Sequence, residues 1–283
     1  RLGLVHADAA RERFLLHIET ATRPPGMWLF EPEGPRLAMI SPDYPGVGQR
    51  YLTEHVTYEA DDGLSIPAWL TLPGPRADGP WPTVVLPHGG PWAHDSGAFD
   101  YWAQFLADRG YAVLQPNFRG STGYGTAYLA AGETAWGRGM QDDLVAGLDW
   151  LAEAGIADAD RACILGGSYG GYAALLASFR DADRFRCAVS FAGVGDLDRL
   201  EEYWRHFLFG AAGRARLPAP GLRNMLSPIA NAERVALPLL VLHGAEDRVV
   251  TVEHSRLLVE ALRRADAEVR YVEQPHGDHH LSR

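Results

Sequence analysis

The sequence predicts an α/β protein, a mainly parallel central sheet with helices on both faces, preceded by a short β-rich N-terminal segment. Three observations predict it. From Trp81 onward, short apolar runs of strand length alternate with longer runs of helical period. Before that point the apolar runs are short and only turn residues separate them. A glycine-rich bend, Gly166 to Gly170, joins one apolar strand directly to the helix that follows it.

Taken in order, residues 1 to about 45 read as three strands, RFLLHIET, MWLFEP and RLAMI, parted by Arg23-Pro24-Pro25-Gly26 and Glu33-Gly34-Pro35. Three strands alone make a marginal sheet, so this piece needs a partner surface. YLTEHVTYEA then turns at Asp61-Asp62-Gly63 and returns as LSIPAWLTLP, a hairpin. TVVLP, YAVLQP, RACIL, RCAVSFAG, LPLLVLHG and AEVRYVEQ are the later strands. FDYWAQFLADRG, Met140 to Ala154, GYAALLASF and VEHSRLLVEALRRA are the helices between them. The order weakens from Asp196 to Val235. DLDRLEEYWRHFLFG reads as a helix and LPAPGLRNMLSPIANAERV as a loop. An insertion there lies over the carboxyl ends of the strands, where this sheet type binds ligands, and is read as a lid or a wall of the substrate pocket, with a simple packing excursion as the alternative.

Composition narrows the function. The chain has 283 residues, 47% hydrophobic and 22% charged, long enough for one large domain with or without an appendage. Its net charge of −10, spread along the chain, argues against a nucleic-acid partner, which needs a clustered basic face. No run approaches the roughly 18 apolar residues of a membrane span. Every basic residue is Arg, so a Schiff-base lysine, a Walker-A lysine and a Ser–Lys dyad are excluded. With no H-E-x-x-H and no Cys–His cluster, neither metal nor cofactor is expected, although His276, Asp278, His279 and His280 could take up a metal opportunistically. Cys163 and Cys187 lie in apolar runs and read as buried inert thiols, with a single disulfide as the alternative; without a disulfide framework, the cytoplasm is the expected setting.

The chemistry is carried by Gly166-Gly167-Ser168-Tyr169-Gly170, a G-x-S-x-G between strand RACIL and helix GYAALLASF. A turn this tight strains the serine backbone and lifts its hydroxyl above the sheet. The flanking glycines are needed because any Cβ there would strike a neighbouring element. A serine hydroxyl is a poor nucleophile, so a base must take its proton and an acid must orient that base. In the α/β-hydrolase fold these follow in the order Ser, acid, His, each on a loop after a strand. Asp247, after LPLLVLHG, is the candidate acid, with Glu246 beside it. The base comes from His276, His279 or His280 after the last strand, His279 being preferred and His280 second. Gly90 in His88-Gly89-Gly90-Pro91 and Tyr169 are the candidate oxyanion donors through their backbone N–H groups. His243 and His254 are explained by packing and solvation.

LPHGGPW, QPNFRGSTGYG, AWGRGMQDDLVAGLDWL, GGSYGGYAAL and VLHGAEDRVV together resemble the prolyl oligopeptidase family of serine peptidases, nearest its acylaminoacyl-peptidase and dipeptidyl-aminopeptidase branch. The resemblance runs from about Asp62 to the end of the chain. It implies a peptidase of short peptides with Ser168, Asp247 and His279 as triad, and Arg119 and Tyr124 shaping the substrate site or serving as scaffold. It also implies that 1–45 corresponds to the end of a β-propeller and 46–283 to the catalytic domain, with the rest of the propeller and a C-terminal helix missing. The partners it implies are a short peptide, with a missing propeller segment or a second copy of the chain besides. Two rival readings are a carboxylesterase acting on small esters and a silent fragment serving as a binding or assembly domain.

Overall fold

Four short strands open the chain. β1 (Leu2–Asp8), β2 (Arg13–Thr20), β3 (Arg23–Glu31) and β4 (Arg36–Pro42) pair antiparallel in chain order. The structure, a computed structural model, describes residues 2–8, 12–31, 36–42 (backbone only), 51–208 and 210–280. Three strands were expected here. The additional one is β1, whose Leu2, Leu4 and Val5 are all exposed, so no buried face marks it in the sequence. Arg23-Pro24-Pro25-Gly26, read as a turn, lies inside β3, and the chain instead reverses at Ala21-Thr22. The register slips between Ile18 and Thr20 opposite this stretch, an irregularity of the kind that lets proline into a strand. The division expected between 45 and 46 lies outside the described residues.

The second sheet has eight strands in the order β12-β11-β10-β9-β7-β8-β6-β5. Its antiparallel edge is the expected hairpin, β5 (Thr53–Glu59) and β6 (Ser65–Thr71), with β6 running antiparallel to β8. β7 (Trp81–Val85), β8 (Ala112–Pro116), β9 (Ala157–Gly167), β10 (Cys187–Phe191), β11 (Leu239–Gly244) and β12 (Val269–Gln274) are parallel to one another. The connecting helices are α1 (Tyr101–Asp108), α2 (Thr126–Ala131), α3 (Gly139–Glu153) and α4 (Tyr169–Arg180), with α8 (Glu253–Arg264) between β11 and β12. The two-residue period of β8 shows that both faces are covered. Val113 packs with Leu86 and with Ala103 of α1 on one side. Ala112 and Leu114 join Leu144, Leu148 and Leu176 on the other. α4 is buried along almost its whole length, which its sequence of Gly, Ala, Leu and aromatic residues requires.

Between β10 and β11 the helix expected to reach Gly210 stops at Trp204 as α5 (Leu197–Trp204), and α6 (Gly210–Arg214) follows. The stretch read as a loop contains α7 (Pro220–Leu226) and a 3₁₀ helix over Pro228–Arg234. Both begin with proline, which is favoured at a first helical position even though it breaks helix interiors. Parallel pairing of β9 with β10 sets Cys163 opposite Cys187, and the two form a disulfide. That corrects the preferred reading of buried inert thiols in favour of the alternative, a single disulfide: both residues are half-buried and joined. The cysteines therefore no longer argue for a reducing compartment. Among the described residues, no helix is long and apolar enough to cross a membrane.

Candidate active site

β9 ends at Gly167 and α4 begins at Tyr169, leaving Ser168 alone to reverse the chain. Its backbone sits at φ 57°, ψ −115°, in the left-handed half of conformational space that a side-chain-bearing residue rarely enters. Neighbours impose this. A Cβ on Gly170 would fall 2.1 Å from the Pro87 carbonyl oxygen, and one on Gly166 would fall 2.5 Å from the Gly170 carbonyl carbon. The Ser168 N–H donates to the Phe191 carbonyl at 2.8 Å, pinning the bend to β10.

Two loops at the same sheet end bring up the other groups. Asp247 follows β11, and His279 follows β12 after the chain passes Gly277. These loops are bonded to each other: Ala245 N–H donates to Gln274 O and Glu246 N–H to Gly277 O, each at 2.9 Å. Gly244 makes the approach possible, because a Cβ there would lie 2.3 Å from Gly277 O. His279 Nδ1 donates to Asp247 Oδ2 at 2.6 Å, the length of a charge-assisted bond. Asp247 Oδ1 accepts the amides of Val249 and Val250 at 2.8 and 3.0 Å. Burial alone would raise the Asp247 carboxyl, but hydrogen bonds from His243, His279 and the Val249 amide hold it well below the usual carboxylate range.

Ser168 and His279 line one cavity of about 320 Å³, together with His88, Gly89, Asp95 and His280. The other expected candidates fall elsewhere. Glu246 meets the exposed His276 at 3.3 Å instead of His279. His280 lines the cavity from an exposed position, and its N–H bonds Asp278. Tyr169 follows Ser168; as the first residue of α4 its N–H lacks an intrahelical acceptor, while its ring is buried against Trp136. Gly90, at φ 122°, follows Gly89, whose added Cβ would lie 3.3 Å from Ser168 Cβ. Arg119 is bound to Asp143 and Asp62, and the Tyr124 hydroxyl accepts from Asn117 Nδ2 at 2.9 Å; neither residue lines this cavity.

The structure adds groups that the sequence reading passed over. Burial against Phe118 pushes the His88 imidazole down to about 4, and its Nε2 lies 2.8 Å from Ser121 Oγ. Burial, with Asp100 nearby, raises the Asp95 carboxyl to about 8. His243, given only a packing role, lies 3.2 Å from the Asp247 carboxylate; the one signal for it was its place four residues before the acid. Next to Asp247 in the chain, Arg248 and Val249 line a second, mostly apolar cavity of about 620 Å³ walled by Trp92, Trp204 and Phe207.

Residues 98–283 match the prolyl oligopeptidase family. The chain belongs to that family. Prolyl oligopeptidase family relatives include dipeptidyl aminopeptidase BIII of Pseudoxanthomonas mexicana, 37% identical over 78% of this chain and 34% of its own. The human acylamino-acid-releasing enzyme is 28% identical over 81% of this chain and 32% of its own. Among solved structures, a puromycin-hydrolyzing peptidase of Mycobacterium tuberculosis superposes with a TM-score of 0.81 at 27% identity, covering 95% of this chain and 42% of that one. Pyrococcus horikoshii acylaminoacyl peptidase gives 0.80 at 26% identity, covering 98% and 45%. The prolyl oligopeptidase family fold, an α/β hydrolase with a mixed central sheet, is thus the fold of this chain, which spans 34 to 42% of the first two curated relatives it matches.

Proposed function

We propose that this chain is the catalytic part of a serine peptidase that hydrolyses short peptides through an acyl-enzyme. The observation that carries the reading is the 2.6 Å bond from His279 Nδ1 to Asp247 Oδ2, made by a ring that lines the same cavity as Ser168. With Nδ1 engaged by the carboxylate, Nε2 is the ring nitrogen left for the serine. Ser168 Oγ attacks the substrate carbonyl carbon as its proton passes to His279 Nε2, and Asp247 stabilises the imidazolium so formed. Negative charge gathers on the carbonyl oxygen, where the Tyr169 and Gly90 N–H groups serve as donors. Collapse expels the amine, which takes the proton from His279. Water then repeats the sequence on the ester and frees Ser168.

The leaving amine must lie on the imidazole side, so the cavity with His279, Asp95 and His88 holds the leaving part of the peptide. The apolar cavity behind Arg248 then holds the acyl part, with α5 and α6 as its wall. The four-stranded antiparallel sheet of β1 to β4 has the size of one propeller blade, and we assign it to the end of such a domain.

Turnover tests this directly. The protein should hydrolyse dipeptidyl or N-acyl-aminoacyl nitroanilides, and Ser168→Ala should lower kcat by at least about 10³-fold. Turnover of nitrophenyl esters alone would make it a carboxylesterase. Silence towards both, from folded protein, would leave a binding domain.

A further inference from the structure

We propose that His243 is a positioning residue for the reaction, its one Nε2–H bonded to the Val250 carbonyl and shared at longer range with the Asp247 oxygen that binds His279. This rests on the triad assignment above. His243 is the penultimate residue of β11 and is fully buried, and its ring is held at both nitrogens. Nε2 lies 2.8 Å from the Val250 carbonyl oxygen and 3.2 Å from Asp247 Oδ2. Neither a carbonyl nor an ionised carboxylate has a proton to give, so Nε2 must carry the hydrogen. Nδ1 is then an acceptor, and the Ser255 hydroxyl, 2.7 Å away in the first turn of α8, donates to it. Ser255 thereby fixes the tautomer.

The consequence falls on the carboxylate. Its Oδ1 takes two backbone amides and its Oδ2 takes the His279 N–H at 2.6 Å, with the His243 N–H, bonded to Val250 O, a second and longer contact at 3.2 Å. His243 accordingly stands to Asp247 as Asp247 stands to His279. It touches neither substrate nor Ser168, since the first cavity does not include it. Because Asp247 acts when His279 gains its proton, loosening Asp247 weakens the transition state and leaves substrate binding alone.

The experiment compares His243→Leu with His243→Gln, whose side-chain amide places an N–H donor near the position of Nε2. The loss of a hydrogen bond to a charged group predicts a fall in kcat of about 30-fold for Leu. KM should stay within about twofold, and Gln should recover most of the lost kcat. The downfield proton resonance of the His279–Asp247 bond should be lost or shifted in the Leu variant and kept in Gln. If His243→Leu does not fold, Ser255→Ala takes its place, with an expected loss in kcat of about fivefold at unchanged KM, the value of a neutral hydrogen bond. Folded Leu protein with unchanged kcat and resonance would overturn the inference, as would equal losses in Leu and Gln, or unchanged kcat in Ser255→Ala. Asp247→Asn separates the two claims. If it keeps full activity, the triad assignment fails; if it collapses while His243→Leu does not, only the role of His243 fails.

Discussion

Replacing Arg119 by Met should unfold the protein much more readily, and the reason lies in what it strands. Asp143, within α3, has a side chain with no exposed surface. Its carboxylate takes Arg119 Nη2 at 2.7 Å, Arg119 Nε at 2.9 and 3.0 Å, and the Arg119 backbone N–H at 2.8 Å. The guanidinium also reaches Asp62 in the β5–β6 turn at 2.8 Å, so one side chain ties hairpin, α3 and the loop after β8. Burial pushes the Asp143 carboxyl up, and Arg119 is what pulls it back down. After Arg119→Met, only the backbone N–H remains on a buried carboxyl. Breaking a buried pair from one side costs roughly 3–5 kcal/mol. Asp62 is 56% exposed, so its share is at most about 1 kcal/mol. Urea unfolding of Arg119→Met should therefore show a loss of about 4 kcal/mol, and Arg119→Met with Asp143→Leu should recover most of it. At temperatures where the variant is folded, KM should be unchanged. A stability loss under about 1 kcal/mol with a tenfold rise in KM would refute this and return Arg119 to the substrate site, one of the two roles the sequence reading left open.

Gly170→Ala forces a Cβ to within 2.1 Å of the Pro87 oxygen, so it should destabilise the fold by about 3 kcal/mol and abolish turnover; normal melting and activity would contradict the packing account. His254 is 2% exposed, and burial holds its imidazole down to about 3. Its folded value lies below the unfolded value of about 6.5, so the unfolded chain binds the extra proton and stability falls as pH drops through that value. At pH 5 this costs about 2 kcal/mol, and His254→Gln should lose correspondingly less stability between pH 7 and 5 in urea titrations. Equal slopes would count against it. Cys163 and Cys187 close a loop with a sequence separation of 24 around Ser168, and replacing both by Ser should lower stability by about 3 kcal/mol. No change on replacement would show that the link does not constrain the chain.

The nucleophile bend was legible because its spacing is enforced locally: Gly166, Ser168 and Gly170 answer to contacts within a few residues and one strand away. The α/β alternation was legible for a similar reason, since the period of each run records which faces are buried. What escaped depends on distant partners. Nothing near Arg119 announces Asp143 or Asp62, 24 and 57 residues away. The pairing of Cys163 with Cys187 follows from the register of β9 on β10, which neither strand encodes alone. β1 lacks a buried face, and α7 begins at a proline that composition reads as a loop although proline favours that position. His243 looked like one more core histidine because its partner acid is reached only through the turn at Gly244–Glu246.

Covalent labelling asks most simply whether the Ser168 hydroxyl is activated by its surroundings. A fluorophosphonate should add once per chain, with the adduct mapping to the peptide that contains Ser168, and Ser168→Ala should take up none. An adduct on another residue, or undiminished labelling of Ser168→Ala, would contradict the account.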